Sequence, residues 1–178
     1  MTTSAEDRTL VLLRHASAES AGAGQDDRER SLSEAGRTEA QAIGHWLVEQ
    51  GIGCDEVMCS PAQRTRETMA ELAEAGCPEA EVRIEHRLYN AGAEDVLAVV
   101  HEASEDASVL LVVGHAPGLP AATSLLADGE GSAPAHELLA EGFPPGAAAV
   151  LRFSGHWSDL AFDSAMLDRF HVPVLTSS

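Results

Sequence analysis

The chain has 178 residues, which is long enough for one domain with a substantial hydrophobic core. Its formal net charge of −18 argues against nucleic acids and anionic membranes as partners, because both would be repelled over most of the surface. Only eleven lysines and arginines are present, so a site for a phosphorylated substrate has to gather several of them in one pocket. We expect a single domain over residues 1–178, with its core at about 9–162.

Cysteine usage and the first residues bear on the cellular compartment. Cys54, Cys59 and Cys77 form no close pair, and an odd number of cysteines is typical of reduced thiols in a cytosolic protein. Residues 1–9 lack the basic and apolar regions of a signal peptide, and no aliphatic run is long enough to cross a bilayer. These features predict a cytoplasmic location.

The first third of the chain predicts a strand and then a long helix. Residues 9–13 are a short apolar run of the kind found in buried parallel strands, and a polar segment follows over residues 16–31. Ser33 is expected to cap a helix that ends near Gln50. The predicted buried stripe of this helix consists of Ala35, Ala42, Ile43, Trp46 and Leu47.

A second strand and helix follow directly. Residues 55–59 predict the strand. Ser60 is then a good N-cap residue, Pro61 suits the first helical position, and Gln63 completes a capping box. This helix is expected to end near Ala75.

Strands and helices alternate further along the chain. We expect a weak strand over 82–85, a helix over 95–103, a fully apolar strand over 109–113 and a helix over 117–127. This alternation predicts an α/β fold, a single three-layer α/β/α domain with a mostly parallel central sheet.

The last third of the chain predicts a surface segment followed by two strands. Residues 128–146 are rich in Gly, Pro, Ala and Glu, which predicts a long surface excursion. Two late strands are expected over 147–153 and 158–162.

Three of the predicted strands end in residues with chemical potential. The first delivers Arg14 and His15, the second leads into Arg64, and the strand over 109–113 leads into His115. Carboxyl ends of parallel strands meet at one edge of a sheet, so these side chains are expected to converge there. Arginine forks match phosphate oxygens, and a neutral imidazole can attack phosphorus, so the set predicts a site for phosphoryl transfer.

These residues lie in three motifs that resemble a known family. Leu-Leu-Arg-His-Ala (12–16), Cys-Ser-Pro-Ala-Gln-Arg-Thr-Arg-Glu-Thr (59–68) and Val-Gly-His-Ala-Pro-Gly (113–118) are similar to the signatures of branch 1 of the histidine phosphatase superfamily. Within it the chain most resembles the phosphohistidine phosphatases of the SixA type. The resemblance covers about residues 10–162 and implies the phosphoglycerate-mutase-like fold and phosphatase activity.

The resemblance also implies a role for each matching residue. His15 is the implied nucleophile that becomes phosphohistidine, Arg14 and Arg64 are the implied phosphate clamps, and His115 is the implied second histidine at the phosphoryl group. Arg30 is an implied substrate-binding residue.

One departure from the family bears on the substrate. Larger members carry a general-acid glutamate after an Arg-Leu pair, whereas here Arg87-Leu88 is followed by Tyr89 and Asn90, so Asn90 is a candidate substrate-binding residue instead. Positioned proton donation contributes about 10²–10⁴-fold in rate. A missing acid therefore favours phosphohistidine, whose imidazole leaves readily, over alkyl esters. Glu85, Glu94 and Asp95 remain open as alternative acids.

Two other interpretations of the function remain open. A phosphatase of small phosphoesters or of phosphoserine is the nearest alternative, and a non-catalytic phosphate-binding or signalling module is an alternative of another class. No two histidines lie within five positions of each other, so the local spacing of a zinc site is absent and we expect neither a metal nor a cofactor. The acidic residues within 25–29 are interpreted as a solvated loop. The expected partner is a phosphorylated substrate, with a phosphohistidine protein as one candidate; no partner is expected among nucleic acids or membranes.

Overall fold

A computed structural model of the protein describes residues 6–76 and 81–174, so Cys77 lies outside the described residues. The described strands are β1 (Asp7–Arg14), β2 (Glu56–Cys59), β3 (Glu81–Ile84), β4 (Val109–Gly114), β5 (Ala127–Gly131), β6 (Ala148–Ser154) and β7 (Ala165–His171). The described α-helices are α1 (Glu34–Glu49), α2 (Gln63–Glu74), α3 (Ala93–Val100), α4 (Gly118–Leu126) and α5 (Ala133–Glu141).

All seven described strands join one sheet in the order β3-β2-β4-β1-β6-β7-β5. β2 pairs in parallel with β3 and β4, β4 pairs in parallel with β1, and β5 pairs in parallel with β7. β6 runs antiparallel to β1 and β7. The prediction of a mostly parallel sheet is therefore confirmed.

Alternate residues of the central strands feed two separate cores. Leu10 and Leu12 point into a core that contains residues of α3, α4 and α5, whereas Val11 and Leu13 point into a core that contains residues of α1 and α2. Helices thus cover both faces of the sheet, as the predicted three-layer α/β/α arrangement requires.

Helix α1 begins where the sequence predicted, and its buried stripe matches the prediction in part: Ile43 and Leu47 are buried, whereas Ala35 is not. The Ser33 side chain accepts a hydrogen bond from Gly36 N at 3.0 Å, which caps the helix. The buried residues are Gly36, Ala40, Ile43, Gly44 and Leu47, and Ala35 is exposed. The predicted stripe was wrong there because Gly36 takes the contact: a Cβ on this residue would lie 1.9 Å from the Ser17 carbonyl oxygen, so only glycine allows so close an approach.

Helix α2 begins later than the capping pattern predicted. Its N-cap is Ala62, and no side-chain hydrogen bond caps it. The predicted N-cap, Ser60, has its hydroxyl 2.7 Å from His115 Nε2 instead. The capping prediction was wrong because a contact between distant parts of the chain engages the serine.

The last third of the chain needs two corrections. Residues 128–146 contain most of β5 and all of α5, so the predicted surface excursion was wrong. Ser132 caps α5 by accepting from Ala135 N at 3.2 Å, and Pro134 fits its first turn, so the Gly- and Pro-rich composition marks a helix start. The predicted strand over 158–162 was also wrong: a short 3₁₀ turn, Trp157–Asp159, lies there, and the final strand is β7, beyond the predicted core.

Within the part of the chain that the structure describes, no helix is both long and apolar enough to span a membrane. Cys54 and Cys59 are buried, as expected for small core residues, and burial raises the pKa of the Cys59 thiol to about 12.

Candidate active site

The carboxyl ends of three adjacent strands form the candidate site. β2, β4 and β1 are parallel neighbours, and the residues that follow them are Ser60, His115 and His15. Backbone hydrogen bonds keep the strand ends together: His15 N donates to Gly114 O at 2.9 Å, and Ser60 N donates to Val113 O at 3.1 Å. The structure thus brings together the strand-end residues that the sequence predicted would converge.

His15 is held as a neutral imidazole with one nitrogen committed to the backbone. Its Nδ1 lies 2.7 Å from the Ala16 carbonyl oxygen. A carbonyl only accepts, so Nδ1 carries the proton and Nε2 keeps its lone pair. Burial, together with the nearby charges of Arg64 and Arg14, lowers the pKa of His15 to about 4 against the opposing effect of the Ala16 hydrogen bond. The ring is therefore neutral at neutral pH, with a lone pair on Nε2.

His115 lies beside His15, with the ring centroids 5.2 Å apart. Its Nε2 is 2.7 Å from Ser60 Oγ. Burial, followed by the neighbouring His15, lowers the pKa of His115 to about 3. When the serine hydroxyl donates to Nε2 of this neutral ring, Nδ1 carries the proton and is available as a donor.

Arg14 and Arg64 are each anchored at the far end of the guanidinium. Arg14 Nη1 donates to the Phe143 carbonyl at 2.8 Å. Arg64, at the start of α2, donates through Nη1 to the Asp27 carbonyl at 2.8 Å and through Nη2 to the Asp27 carboxylate at 3.1 Å. Both side chains are thus fixed by protein acceptors on one side.

Three nitrogens of these residues have no acceptor. Among the described residues, Arg14 Nε, Arg64 Nε and His115 Nδ1 are the buried side-chain polar atoms without a hydrogen-bond partner. Buried donors are rarely left unpaired, because burial without a partner costs about 1–3 kcal/mol each. Two fixed guanidinium groups and an imidazole donor beside a neutral nucleophile suit a tetrahedral oxyanion.

Two further residues of the site were missed by sequence reasoning. Asp27, from the segment interpreted as a solvated loop, accepts hydrogen bonds from Arg64, Arg30 and Tyr89. The Tyr89 ring meets His115 edge-on, with centroids 5.5 Å apart. The Tyr89 hydrogen bond is the largest of the effects that hold the pKa of Asp27 well below its usual range. No local pattern marks these residues as part of the site, since Arg64 and His115, which they contact there, lie far away in the chain.

The two predicted substrate-binding residues, Arg30 and Asn90, fall in different places. Arg30 joins the site through Asp27, to whose Oδ1 its Nη1 donates at 3.1 Å. Asn90 is exposed, and its backbone has φ +58°, a left-handed conformation that asparagine tolerates well. Its role in substrate binding stays a prediction.

Two of the three candidate general acids, Glu85 and Asp95, are engaged elsewhere. Glu85 pairs with Arg87, whose hydrogen bonds lower the pKa of Glu85 to about 2. Asp95 accepts from Gly92 N at 2.8 Å at the start of α3. Glu94 is exposed. No group of three or more His, Cys, Asp or Glu side chains within residues 6–76 and 81–174 is arranged to hold a metal ion.

A cavity of about 440 Å³ opens beside Arg14. Its walls come from Arg14, from the end of α5 and the segment after it, and from Val172. It offers space next to the guanidinium on the side of the carboxyl ends of the strands.

Comparison with known proteins agrees with this geometry. Residues 10–96 match the sequence model of the histidine phosphatase superfamily (branch 1). An uncharacterised protein of Mycobacterium tuberculosis is 38% identical over 148 residues, which cover 83% of this chain and 91% of that protein.

Two solved structures are similar along nearly the whole chain. A candidate phosphohistidine phosphatase SixA from Nakamurella multipartitia is 40% identical with a TM-score of 0.84, over 97% of this chain and 100% of that one. A candidate phosphohistidine phosphatase SixA from Agrobacterium tumefaciens is 29% identical with a TM-score of 0.79, over 93% of this chain and 98% of that one.

The two histidines predict that the protein becomes less stable as the pH is lowered. In the folded protein the pKa of His15 is about 4 and that of His115 about 3, whereas the ordinary value is 6.5. Below pH 6.5 the unfolded chain therefore binds more protons than the folded protein, so the free energy of unfolding decreases as the pH falls toward 4. A pKa difference of one corresponds to about 1.4 kcal/mol, so each histidine contributes a loss of roughly 1–3 kcal/mol.

Urea unfolding of wild type and His15→Asn at about pH 7 and about pH 4.5 measures this effect. The variant keeps a donor for the Ala16 carbonyl but does not titrate, so it should lose less stability than wild type on acidification. His45→Asn, on the exposed face of α1, controls for the removal of one histidine. Equal losses in wild type and His15→Asn would contradict the neutral, buried state of His15.

Proposed function

This chain belongs to branch 1 of the histidine phosphatase superfamily and is a phosphatase, and we propose that it hydrolyses phosphohistidine through a covalent intermediate on His15. The observation that carries the proposal is the neutral imidazole of His15, with Nδ1 committed to Ala16 and three unpaired donors on the neighbouring side chains. We expect the reaction in the cytoplasm. We also expect it to proceed without a metal, since Arg14 and Arg64 supply the positive charge that a metal would otherwise provide.

The proposed reaction has two displacements at phosphorus. In the first, the lone pair of His15 Nε2 attacks phosphorus, a P–N bond forms, and the bond from phosphorus to the substrate imidazole breaks. The departing imidazole takes up a proton from solvent. In the second, water attacks the phosphorus on His15, a P–O bond forms and the new P–N bond breaks. The bonding pair returns to Nε2, which restores the neutral imidazole, and inorganic phosphate leaves with the protons of the water or passes one to solvent.

The proposed role of the surrounding donors is to stabilise the phosphoryl oxygens. Arg14 and Arg64 each have a fixed far end and a free Nε, so little reorganisation is needed when charge develops on the oxygens. His115 Nδ1 supplies a third hydrogen bond. Because both histidines are neutral, the positive charge of the site comes from the guanidinium groups, which keep it at any working pH.

The choice of phosphohistidine follows from the proton needs of the leaving group. An alkoxide leaves poorly and depends on a positioned acid, which contributes about 10²–10⁴-fold. Glu85 is paired with Arg87 and Asp95 caps α3, so neither carboxylate is disposed to protonate a leaving group. A phosphorylated imidazole leaves more readily and depends less on a positioned acid, since it can take its proton from solvent. The similar candidate SixA structures support the same substrate class, with a phosphohistidine protein as the partner.

Phosphate release from a phosphohistidine protein and from a phosphoserine peptide tests the substrate class. Wild type should release phosphate from phosphohistidine much faster, and His15→Ala should abolish release from both. Faster release from phosphoserine would refute the leaving-group argument while leaving the nucleophile in place, and the alternative of a small phosphoester or phosphoserine phosphatase would then stand. Phosphate release from neither substrate would favour the alternative of a non-catalytic phosphate-binding module.

Arg64 and Arg66 form a matched pair two positions apart on α2. Arg64 is buried in the site, whereas Arg66 is exposed on the other side of the helix. Arg64→Ala should lower kcat/KM about 10²–10³-fold, the size expected for removing one donor to a developing oxyanion. Arg66→Ala should leave kcat/KM near wild type. Equal effects of the two substitutions would mean that general surface charge, and not a fixed clamp, governs the reaction.

A further inference from the structure

Asp27 is bonded to three residues of the site at once. Its Oδ2 accepts from Arg64 Nη2 at 3.1 Å and from the Tyr89 hydroxyl, and its Oδ1 accepts from Arg30 Nη1 at 3.1 Å. Its backbone carbonyl accepts from Arg64 Nη1 at 2.8 Å. The Arg64 side chain is 8% exposed and the Asp27 side chain 48% exposed, so a surface carboxylate meets a buried guanidinium.

The contacts with Asp27 engage both terminal nitrogens of Arg64. A guanidinium is planar, and its five N–H groups form a rigid fork. Two hydrogen bonds to the terminal nitrogens therefore also fix the direction of Nε, which is buried and has no partner. Arg14 is anchored through one terminal nitrogen, Nη1, to the Phe143 carbonyl, and its Nε is likewise unpaired.

We propose that Asp27 is a positioning residue for phosphoryl transfer, which holds the terminal nitrogens of Arg64 so that the Nε side of the fork binds the phosphoryl oxygens. This inference rests on the proposed function, because it assigns Asp27 a purpose only if Arg64 binds the transferred group. In this role Asp27 acts through Arg64 and not on the reacting atoms. It stays ionised, because hydrogen bonds from Tyr89, Arg30 and Arg64 all favour the carboxylate.

Tyr89 and Arg30 hold the Asp27 carboxylate in place, and this carboxylate in turn holds Arg64. Each donates to Asp27, and the Tyr89 ring is also in edge contact with His115. The alternative is that Asp27 acts as a built-in competitor that occupies the clamp until phosphate displaces it. The geometry favours positioning, because the contacts with Asp27 leave Arg64 Nε unpaired.

The test compares Asp27→Ala and Asp27→Asn with Asp26→Asn, using the full chain and a phosphohistidine protein as substrate. The side chain of Asp26, the adjacent carboxylate, accepts a local hydrogen bond from Arg28 N at 2.9 Å, which asparagine can preserve. Asp27→Ala should lower kcat/KM about 10–100-fold, the scale of a misplaced binding group. Asp27→Asn, which keeps one acceptor, should fall between Asp27→Ala and wild type. Asp26→Asn should match wild type.

A double-mutant cycle separates positioning from a merely structural role. Asp27→Ala acts through Arg64, so in an Arg64→Ala background it should lower kcat/KM by less than about threefold. Effects of Asp27→Ala that multiply with those of Arg64→Ala would overturn the proposal. So would a rise in kcat/KM together with tighter inhibition by vanadate, which is the result expected of a built-in competitor.

Two further measurements keep the outcomes distinguishable. Urea unfolding of each variant shows whether a loss of rate comes from a loss of folded protein. If wild type turns over through an acid-labile phosphate but Asp27→Ala is as active as Asp26→Asn, the role of Asp27 is refuted and the proposed function is not. Wild type without an acid-labile phosphate would refute the proposed function itself.

Discussion

The hydrogen bond between His15 Nδ1 and the Ala16 carbonyl ties the ring to its own backbone, at 2.7 Å. It settles which nitrogen carries the proton, and burial keeps the ring neutral, so Nε2 has a lone pair. The backbone around it is fixed in turn, because His15 N donates to Gly114 O at the end of β4. Close packing of α1 on the Ser17 carbonyl, through Gly36, supports the segment that follows.

The charge of the protein and the charge of the site have opposite signs. A formal net charge of −18 repels phosphorylated substrates at long range, yet Arg14, Arg30 and Arg64 gather around the candidate site with one carboxylate, Asp27. Short-range hydrogen bonds from fixed guanidinium groups therefore have to provide recognition, since long-range steering works against it. The proposed site depends more on the placement of a few cations than on their number.

Sequence reasoning predicted the fold class and the residues that converge, because apolar runs and strand-end residues are local signals. Arg14, His15 and His115 directly follow or end such runs. It could not predict Asp27 and Tyr89, which belong to the site only through contacts with Arg64 and His115 far away in the chain. The helix-cap prediction for Ser60 was wrong for the same reason: its local pattern favours a cap, but its hydroxyl contacts His115 instead. Residues 128–146 misled because Gly and Pro occur both in loops and at helix ends.

The central claim is that the phosphoryl group passes through His15 Nε2. Rapid quenching of wild type with a phosphohistidine substrate, followed by peptide mapping under alkaline conditions, locates any trapped phosphate. The account predicts one acid-labile phosphate per chain, on Nε2 of His15, formed within the first turnover and absent from His15→Ala. Turnover at the full rate with no phosphate on His15, or with phosphate on another residue, would contradict it.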